Sequence, residues 1–233
     1  MSELGPFVPI DVSRNQVIAV FGRKGEGKSA LANMLYRSWP AVDRICIDVS
    51  GDDRPWLRSK RITEPPAKMP ARDRPDEPVD LWYVADAAAP TYRDDLDKAL
   101  RAVLFPRDRR ALVCIHEIGE VMPAGRTPPH GRKLLQQGRH YNASTILCGP
   151  RPVDIEPLAL QQADEVFCYD LPNPRDRLRV AETIGYPPRE IDDAIEELRR
   201  AGDHWFLRYR ARAHALELCP PLPREWLDTG DDE

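Results

Sequence analysis

The octapeptide Gly22-Arg23-Lys24-Gly25-Glu26-Gly27-Lys28-Ser29 constrains this chain more than any other stretch of it. It fills the pattern G-x-x-x-x-G-K-[ST]. The small residues of that pattern let successive backbone N–H groups close round phosphate oxygens, its lysine reaches the β- and γ-phosphates, and its hydroxyl meets Mg²⁺. Such a loop works between a buried strand and the first turn of a helix, because the helix N-terminus aims its free N–H groups at the anion. Both neighbours are present: residues 16–21 are a compact apolar run of strand type, and residues 30–37 read as helix. Average residue usage gives such a match at about one position in 10⁴, so a plain glycine turn with an exposed lysine is the weaker reading. Residues 22–29 are therefore the expected nucleotide-binding loop, with Lys28 on the phosphates and ATP with Mg²⁺ as the ligands.

Strand and helix signals alternate along the rest of the chain. Strand-type runs at 44–49, 81–84, 111–115, 144–148 and 165–169 are interleaved with helical stretches at 92–105, 130–141, 174–184 and 188–201. The run 111–115 is wholly apolar, the kind a parallel sheet buries on both faces. This alternation predicts an α/β fold of P-loop NTPase (RecA-like) type: a mostly parallel central sheet flanked by helices, followed by a C-terminal helical segment and a β-hairpin at 204–209 and 214–218. At 233 residues, one domain spanning 1–233 is expected. Residues 54–80, rich in Pro, Arg and Asp, read as a long, disordered surface excursion, and 228–233 as an acidic tail.

A formal net charge of -4 argues against a protein that coats nucleic acid with its whole surface, and leaves room for a local basic channel. No run reaches the roughly 20 apolar residues of a membrane span and no signal segment opens the sequence, so a cytoplasmic protein is expected. Cys46, Cys114, Cys148, Cys168 and Cys219 stand singly and read as reduced core thiols. His116-Glu117 does not begin an H-E-x-x-H zinc site, since position 120 is Glu.

Hydrolysis needs a carboxylate that orients and deprotonates water near the γ-phosphate, carried at the end of a neighbouring buried strand beside a Mg²⁺-linked acid. Residues 111–117 supply that strand and Glu117, the expected base. His116 takes the place where the acid is expected. A neutral imidazole carries no charge for organising Mg²⁺-bound water. Either Ser29 then carries more of the metal or Asp48 approaches it from the next strand, so Ser29, Glu117 and Asp48 form the expected metal side. A protein that binds ATP without hydrolysing it also stays open.

Four ordered pieces resemble the FtsK/HerA superfamily of ring-shaped DNA-pumping ATPases. The first is the loop 22–29, and the second is Ile45-Cys46-Ile47-Asp48-Val49-Ser50-Gly51-Asp52. The third is the strand closing at Glu117. The fourth and most specific runs from Gly138-Arg139-His140 through an apolar strand to Pro150-Arg151-Pro152, followed by Leu160-Gln161-Gln162-Ala163-Asp164. The match spans most of residues 16–170. It departs where the group carries a polar Gln that senses the γ-phosphate, because Pro150 stands there; sensing would fall to Arg151 or Asn142.

The resemblance implies active sites between subunits of a ring, expected to be a hexamer, with Arg139 or Arg151 of a neighbour stabilising transition-state charge. It implies double-stranded DNA as a partner gripped without regard to sequence, with Arg126 and the arginines of 54–74 facing the pore. The bare motor is similar to the compact genome-packaging ATPases of tailless, membrane-containing viruses. That similarity implies a capsid or portal-vertex partner and a place in the host cytoplasm or on the virion. The alternatives are a plasmid or mobile-element DNA pump or repair ATPase, a nucleotide-binding assembly factor with weak hydrolysis, and a small-molecule kinase with residues 107–110 as its lid. Tyr209 and Arg208 are candidates for contact with adenine.

Overall fold

Because strand side chains alternate, Ile18 and Val20 of β1 (Val17–Phe21) face one way and Ala19 and Phe21 the other, and all four are fully buried. Such a strand needs cover on both faces. The computed structural model describes residues 15–39, 42–51, 59–105 and 108–223. In these, β1 runs into the glycine loop and α1 (Lys28–Ser38), then β2 (Asp43–Asp48), β3 (Lys60–Ile62), β4 (Asp80–Val84), α2 (Tyr92–Val103) and β5 (Ala111–His116). After α3 (Ile118–Val121) and α4 (Pro129–Gln137) come β6 (Ala143–Gly149), α5 (Pro157–Gln161) and β7 (Glu165–Cys168). Helices α6 (Pro174–Ile184) and α7 (Pro188–Ala201) lead to the hairpin β8 (Phe206–Arg210) and β9 (Ala215–Cys219).

The strands form a nine-stranded sheet in the order β3-β4-β2-β5-β6-β1-β7-β8-β9. The seven strands from β3 to β7 run parallel, and β8 and β9 add antiparallel at one end. On one face α1 covers Ile18, Val20, Cys46 and Cys114 with Leu31, Leu35 and Tyr36. On the other, Phe21, Ile47, Val113 and Ile115 pack with Leu100 of α2, Leu134 of α4, Val180 of α6 and Ile195 of α7. Each large apolar side chain buried this way stabilises the fold by roughly 1.5–3 kcal/mol. Four helices open on a proline, Pro129, Pro157, Pro174 and Pro188. Proline's fixed φ and missing N–H suit a first helical position, so a proline-rich chain keeps its helices. Among the described residues no helix is long and apolar enough to cross a membrane.

The α/β architecture expected from the sequence is borne out, with two differences. Helix 130–141 is in fact two pieces: α4 stops at Gln137, and a 3₁₀ turn (Gly138–Tyr141) follows. The excursion is not disordered across residues 59–80. Lys60–Ile62 pairs with β4, Met69 is buried in the core, and Arg72 joins the buried carboxylate of Asp43 at 2.8 Å. Arg109 reaches the same carboxylate at 2.7 Å. Residues 54–58 and the acidic tail lie outside the described residues.

All five cysteines are unpaired and buried. Burial pushes the Cys168 thiol up to about 12 and the Cys219 thiol to about 11, and raises those of Cys46 and Cys148 as well. Thiolate is the reactive form. The native protein at pH 8 is therefore expected to resist a thiol-specific chromogenic reagent and to release all five equivalents on denaturation; rapid native labelling would contradict this packing.

Candidate nucleotide site

β1 lies where the chain changes direction across the sheet: after β1 it crosses to β2 on one side, and after β6 it crosses over β1 to β7 on the other. The crevice outside the strand ends at such a point is where open α/β sheets bind ligands. Residues 22–29 occupy it. Gly22, Gly25 and Gly27 have φ of 149°, 88° and 100°, a region L side chains rarely adopt. Space is a second constraint at Gly22, where a Cβ would sit 2.5 Å from Tyr169 Cβ. Tyr169 follows β7 and donates its backbone N–H to Phe21 O at 2.8 Å and its hydroxyl to Gly27 O at 3.3 Å. Burial pushes its phenol far up, so it stays a donor.

The first N–H groups of α1 have no side-chain cap at Gly27. Lys28 is largely buried and donates from Nζ to Arg23 O at 2.9 Å, folded across the loop. Glycines in positive-φ backbone, one of them without room for a Cβ, an uncapped helix start and a lysine resting on a carbonyl make a cradle that fits a nucleotide's phosphates. Arg23 pairs with Glu26 at 2.8 Å on the outer side of the loop, and His204 Nδ1 lies 3.2 Å from Glu26 O.

The register of the sheet sets the next layer. Asp48 ends β2 opposite His116, which ends β5, and both fall on the face covered by α1. Ser29, in the first turn of α1, places its Oγ 2.9 Å from His116 Nε2. Asp48 is fully buried. Its Oδ1 accepts from the Ser50 hydroxyl at 2.8 Å and the Ser50 N–H at 2.9 Å, and its Oδ2 from Trp82 Nε1 at 3.2 Å. Asp48 therefore meets His116 and Ser50, with no direct bond to Ser29. Burial pushes the Asp48 carboxyl up, but the hydrogen bonds from His116 and Ser50 outweigh it and hold the group well below the usual carboxylate range. Asp52, the last residue of the second sequence piece, lies outside the described residues.

A depressed folded pKa fixes the sign of a pH effect. The stabilisation from Asp48 is complete above the unfolded value of about 3.9 and is lost as pH falls through the lower folded value. Urea midpoints measured from about pH 5 down to about pH 3 are expected to fall less in Asp48→Asn than in the wild type. Parallel slopes would show that Asp48 is not held in this way.

Glu117 sits just past β5 with φ 58° and ψ 57°, a left-handed conformation rare for a residue with a Cβ. Such strain gathers at functional sites. Its side chain is half-buried, and no hydrogen bond or ion pair from a described residue holds its carboxylate. The tip of β6 lies between the tips of β1 and β5, and Arg151, just beyond it, bonds Asp176 at 3.2 Å.

The other predicted residues lie elsewhere. Parallel strands begin at one edge and end at the other, so Arg139 and Asn142, before β6, sit at the edge opposite the glycine loop. β6 has seven residues, about 23 Å at ~3.3 Å each. Arg139 bonds Asp164 there at 3.0 Å, and Asn142 is too far to sense a phosphate in its own subunit. Arg109 and Arg110 precede β5 at this same far edge, which removes the lid reading; Arg107 lies outside the described residues. Arg208 is buried against Glu165 at 2.8 Å, and Tyr209 packs with Tyr186 and His214, so neither presents itself to adenine. Arg126 is exposed in the turn after α3, while Arg61 lies over the Trp82 ring. Reasoning from sequence missed Tyr169 as the floor of the loop.

No family model and no curated protein matches the sequence. Among solved structures, the chain is similar to the genome packaging NTPase B204 from Sulfolobus turreted icosahedral virus 2 in complex with AMPPCP. The TM-score is 0.66 at 18% identity, over 90% of this chain and 98% of that one. It is also similar to the pCW3 conjugation coupling protein TcpA with ATPgS, at a TM-score of 0.52 and 12% identity, over 95% of this chain and 66% of that one. The cytoplasmic domain of the Thermomonospora curvata type VII secretion ATPase EccC gives a TM-score of 0.57 at 11% identity, over 88% of this chain and 25% of that one. At these identities the likeness is one of fold: the chain has the α/β fold of a P-loop NTPase, similar to that of the viral genome packaging NTPase B204.

Proposed function

We propose that this chain hydrolyses ATP to move double-stranded DNA, as a viral genome-packaging motor working in a ring of copies. The observation that carries the reading is the glycine cradle at the strand ends, with Glu117 held in a strained backbone two strands away. The likeness to B204 over 90% of the chain supports the choice of cargo. Bound ATP with Mg²⁺ supplies the phosphoanhydride bond and the cation that offsets its charge. Residues 22–29 hold the phosphates through backbone N–H groups, and Lys28 exchanges its bond to Arg23 O for phosphate oxygens. Glu117 accepts the proton of the attacking water. Arg139 or Arg151 serves a neighbouring copy's site, Arg139 being too far from its own. DNA is gripped through its phosphates, with Arg126 among the contacts, so net acidity is tolerable.

The test is steady-state ATP hydrolysis with Mg²⁺, with and without long double-stranded DNA, using Lys28→Ala as the blank. Turnover stimulated by DNA and absent from the blank is expected. Turnover equal to the blank in both conditions would sink the motor reading. A second reading, a mobile-element DNA pump, is favoured by the likeness to TcpA. ATP-dependent DNA uptake by a purified capsid shell separates the two.

A further inference from the structure

His116 stands where a metal-organising acid was expected, yet its two ring nitrogens are both engaged. Nδ1 faces Ser50 Oγ at 3.4 Å and Asp48 Oδ1 at 3.5 Å. The Ser50 hydroxyl gives its own proton to Asp48 Oδ1 at 2.8 Å, so its oxygen is an acceptor toward the ring, and the ionised carboxylate is acceptor only. Two acceptors in front of Nδ1 place the imidazole proton there. In that tautomer of the neutral ring Nε2 is an acceptor, and the Ser29 hydroxyl, 2.9 Å away, is within reach to donate to it. A hydroxyl that donates its proton sideways keeps both oxygen lone pairs for another partner.

We propose that His116, backed by Asp48, is a positioning residue that takes the Ser29 hydrogen bond and thereby presents Ser29 Oγ as a ligand to the divalent cation of a bound nucleotide. This rests on the ATP reading above. The expected acid has not been lost from the site. It has moved one strand over, from β5 to its register partner on β2, and an imidazole spans the gap. Asp48 is locked for that task by Trp82 Nε1 at 3.2 Å and by the Ser50 and Gly51 N–H groups at 2.9 and 3.3 Å. The arrangement resembles a serine–histidine–aspartate relay in its order of contacts, with the hydroxyl oxygen serving a metal instead of attacking a substrate.

The experiment reads affinity instead of turnover: the dissociation constant of a fluorescent ATP analogue for the full chain, with Mg²⁺ and with EDTA. The ratio of the two is the metal enhancement. His116→Phe, which keeps a ring but cannot accept, is expected to lower that ratio about 10-fold or more, the usual cost of losing an outer-shell partner. Ser29→Ala should lower it similarly, and the double variant no further than either single. His116→Asp combined with Asp48→Asn returns the acid to β5 and should recover the ratio. In the unmutated protein, the imidazole ¹⁵N resonances of His116 should show Nδ1 protonated and Nε2 bare.

A protonated Nε2, or a His116→Phe protein that folds and keeps the full ratio beside a wild type that binds ATP, overturns the role of His116 alone. A wild type that binds no nucleotide under either condition overturns the ATP reading, and this proposal with it.

Discussion

Glu117→Gln is expected to bind ATP as the wild type does and to turn it over about 10²–10⁴-fold more slowly, the usual worth of a positioned general base. The amide matches the carboxylate in shape, so the strained backbone at φ 58° and the packing of Ile118 beneath it should survive. The proton acceptor is lost. No described residue holds the Glu117 carboxylate, so it has no structural bond whose loss would confuse the result. Single-turnover phosphate release, set beside calorimetric ATP affinity, separates the two effects. Loss of binding along with turnover would recast Glu117 as part of the nucleotide cradle. Turnover near the wild-type rate would place the base elsewhere, or show that water is activated without one.

What the sequence disclosed of this fold follows from the physics of its signals. Runs such as 111–115 stand out because a strand buried on both faces is apolar throughout, and the glycine loop because φ values of 88–149° nearly demand glycine. β3 has no such signal: it is the three residues Lys-Arg-Ile on a sheet edge, too short and too charged to show a period. Met69 is a lone apolar residue among prolines and arginines, and its burial depends on a fold that composition does not report. The ion pair of Arg72 with Asp43 joins positions 29 apart, which only the finished sheet brings together.

The candidate site divides along the same line. Residues adjacent in sequence were legible as a motif, but their placement was not. The strand inside Gly138 to Pro152 was legible, but not which of its ends shares an edge with the loop: β6 runs parallel to β1, so Arg139 and Arg151 lie at opposite edges of the sheet. Only one of them can share an edge with the loop of their own subunit. The Ser29–His116–Asp48 contact depends on the register of β2 against β5 and on which face α1 covers, and a single sequence encodes neither locally. His116 therefore looked like a gap in the metal side, whereas in the fold its ring fills the space between a serine and a buried acid.

Gly22→Ala is expected to destabilise the protein by about 3 kcal/mol or more, against about 1 kcal/mol for Gly25→Ala three residues on. Both glycines have positive φ, 149° and 88°, so both substitutions strain the backbone. Only one also collides. A Cβ at Gly22 would lie 2.5 Å from Tyr169 Cβ and 3.3 Å from Tyr169 Cα, whereas one at Gly25 would meet nothing within 4 Å. Tyr169 cannot retreat easily, since its N–H is bonded to Phe21 O and its ring packs at 5.4 Å from that of Phe206. The loop must move instead, which opens the bond from Tyr169 to Gly27 and the phosphate cradle with it. Urea unfolding of both variants measures the difference, and ATP affinity should be lost in Gly22→Ala while Gly25→Ala retains part of it. Pairing Gly22→Ala with Tyr169→Gly, which removes the colliding Cβ, tests the cause: a coupling energy of about 1–2 kcal/mol in the favourable sense assigns the loss to the collision. Strict additivity would assign it to backbone strain, and equal losses at Gly22 and Gly25 would mean that Tyr169 is not the floor on which the loop rests.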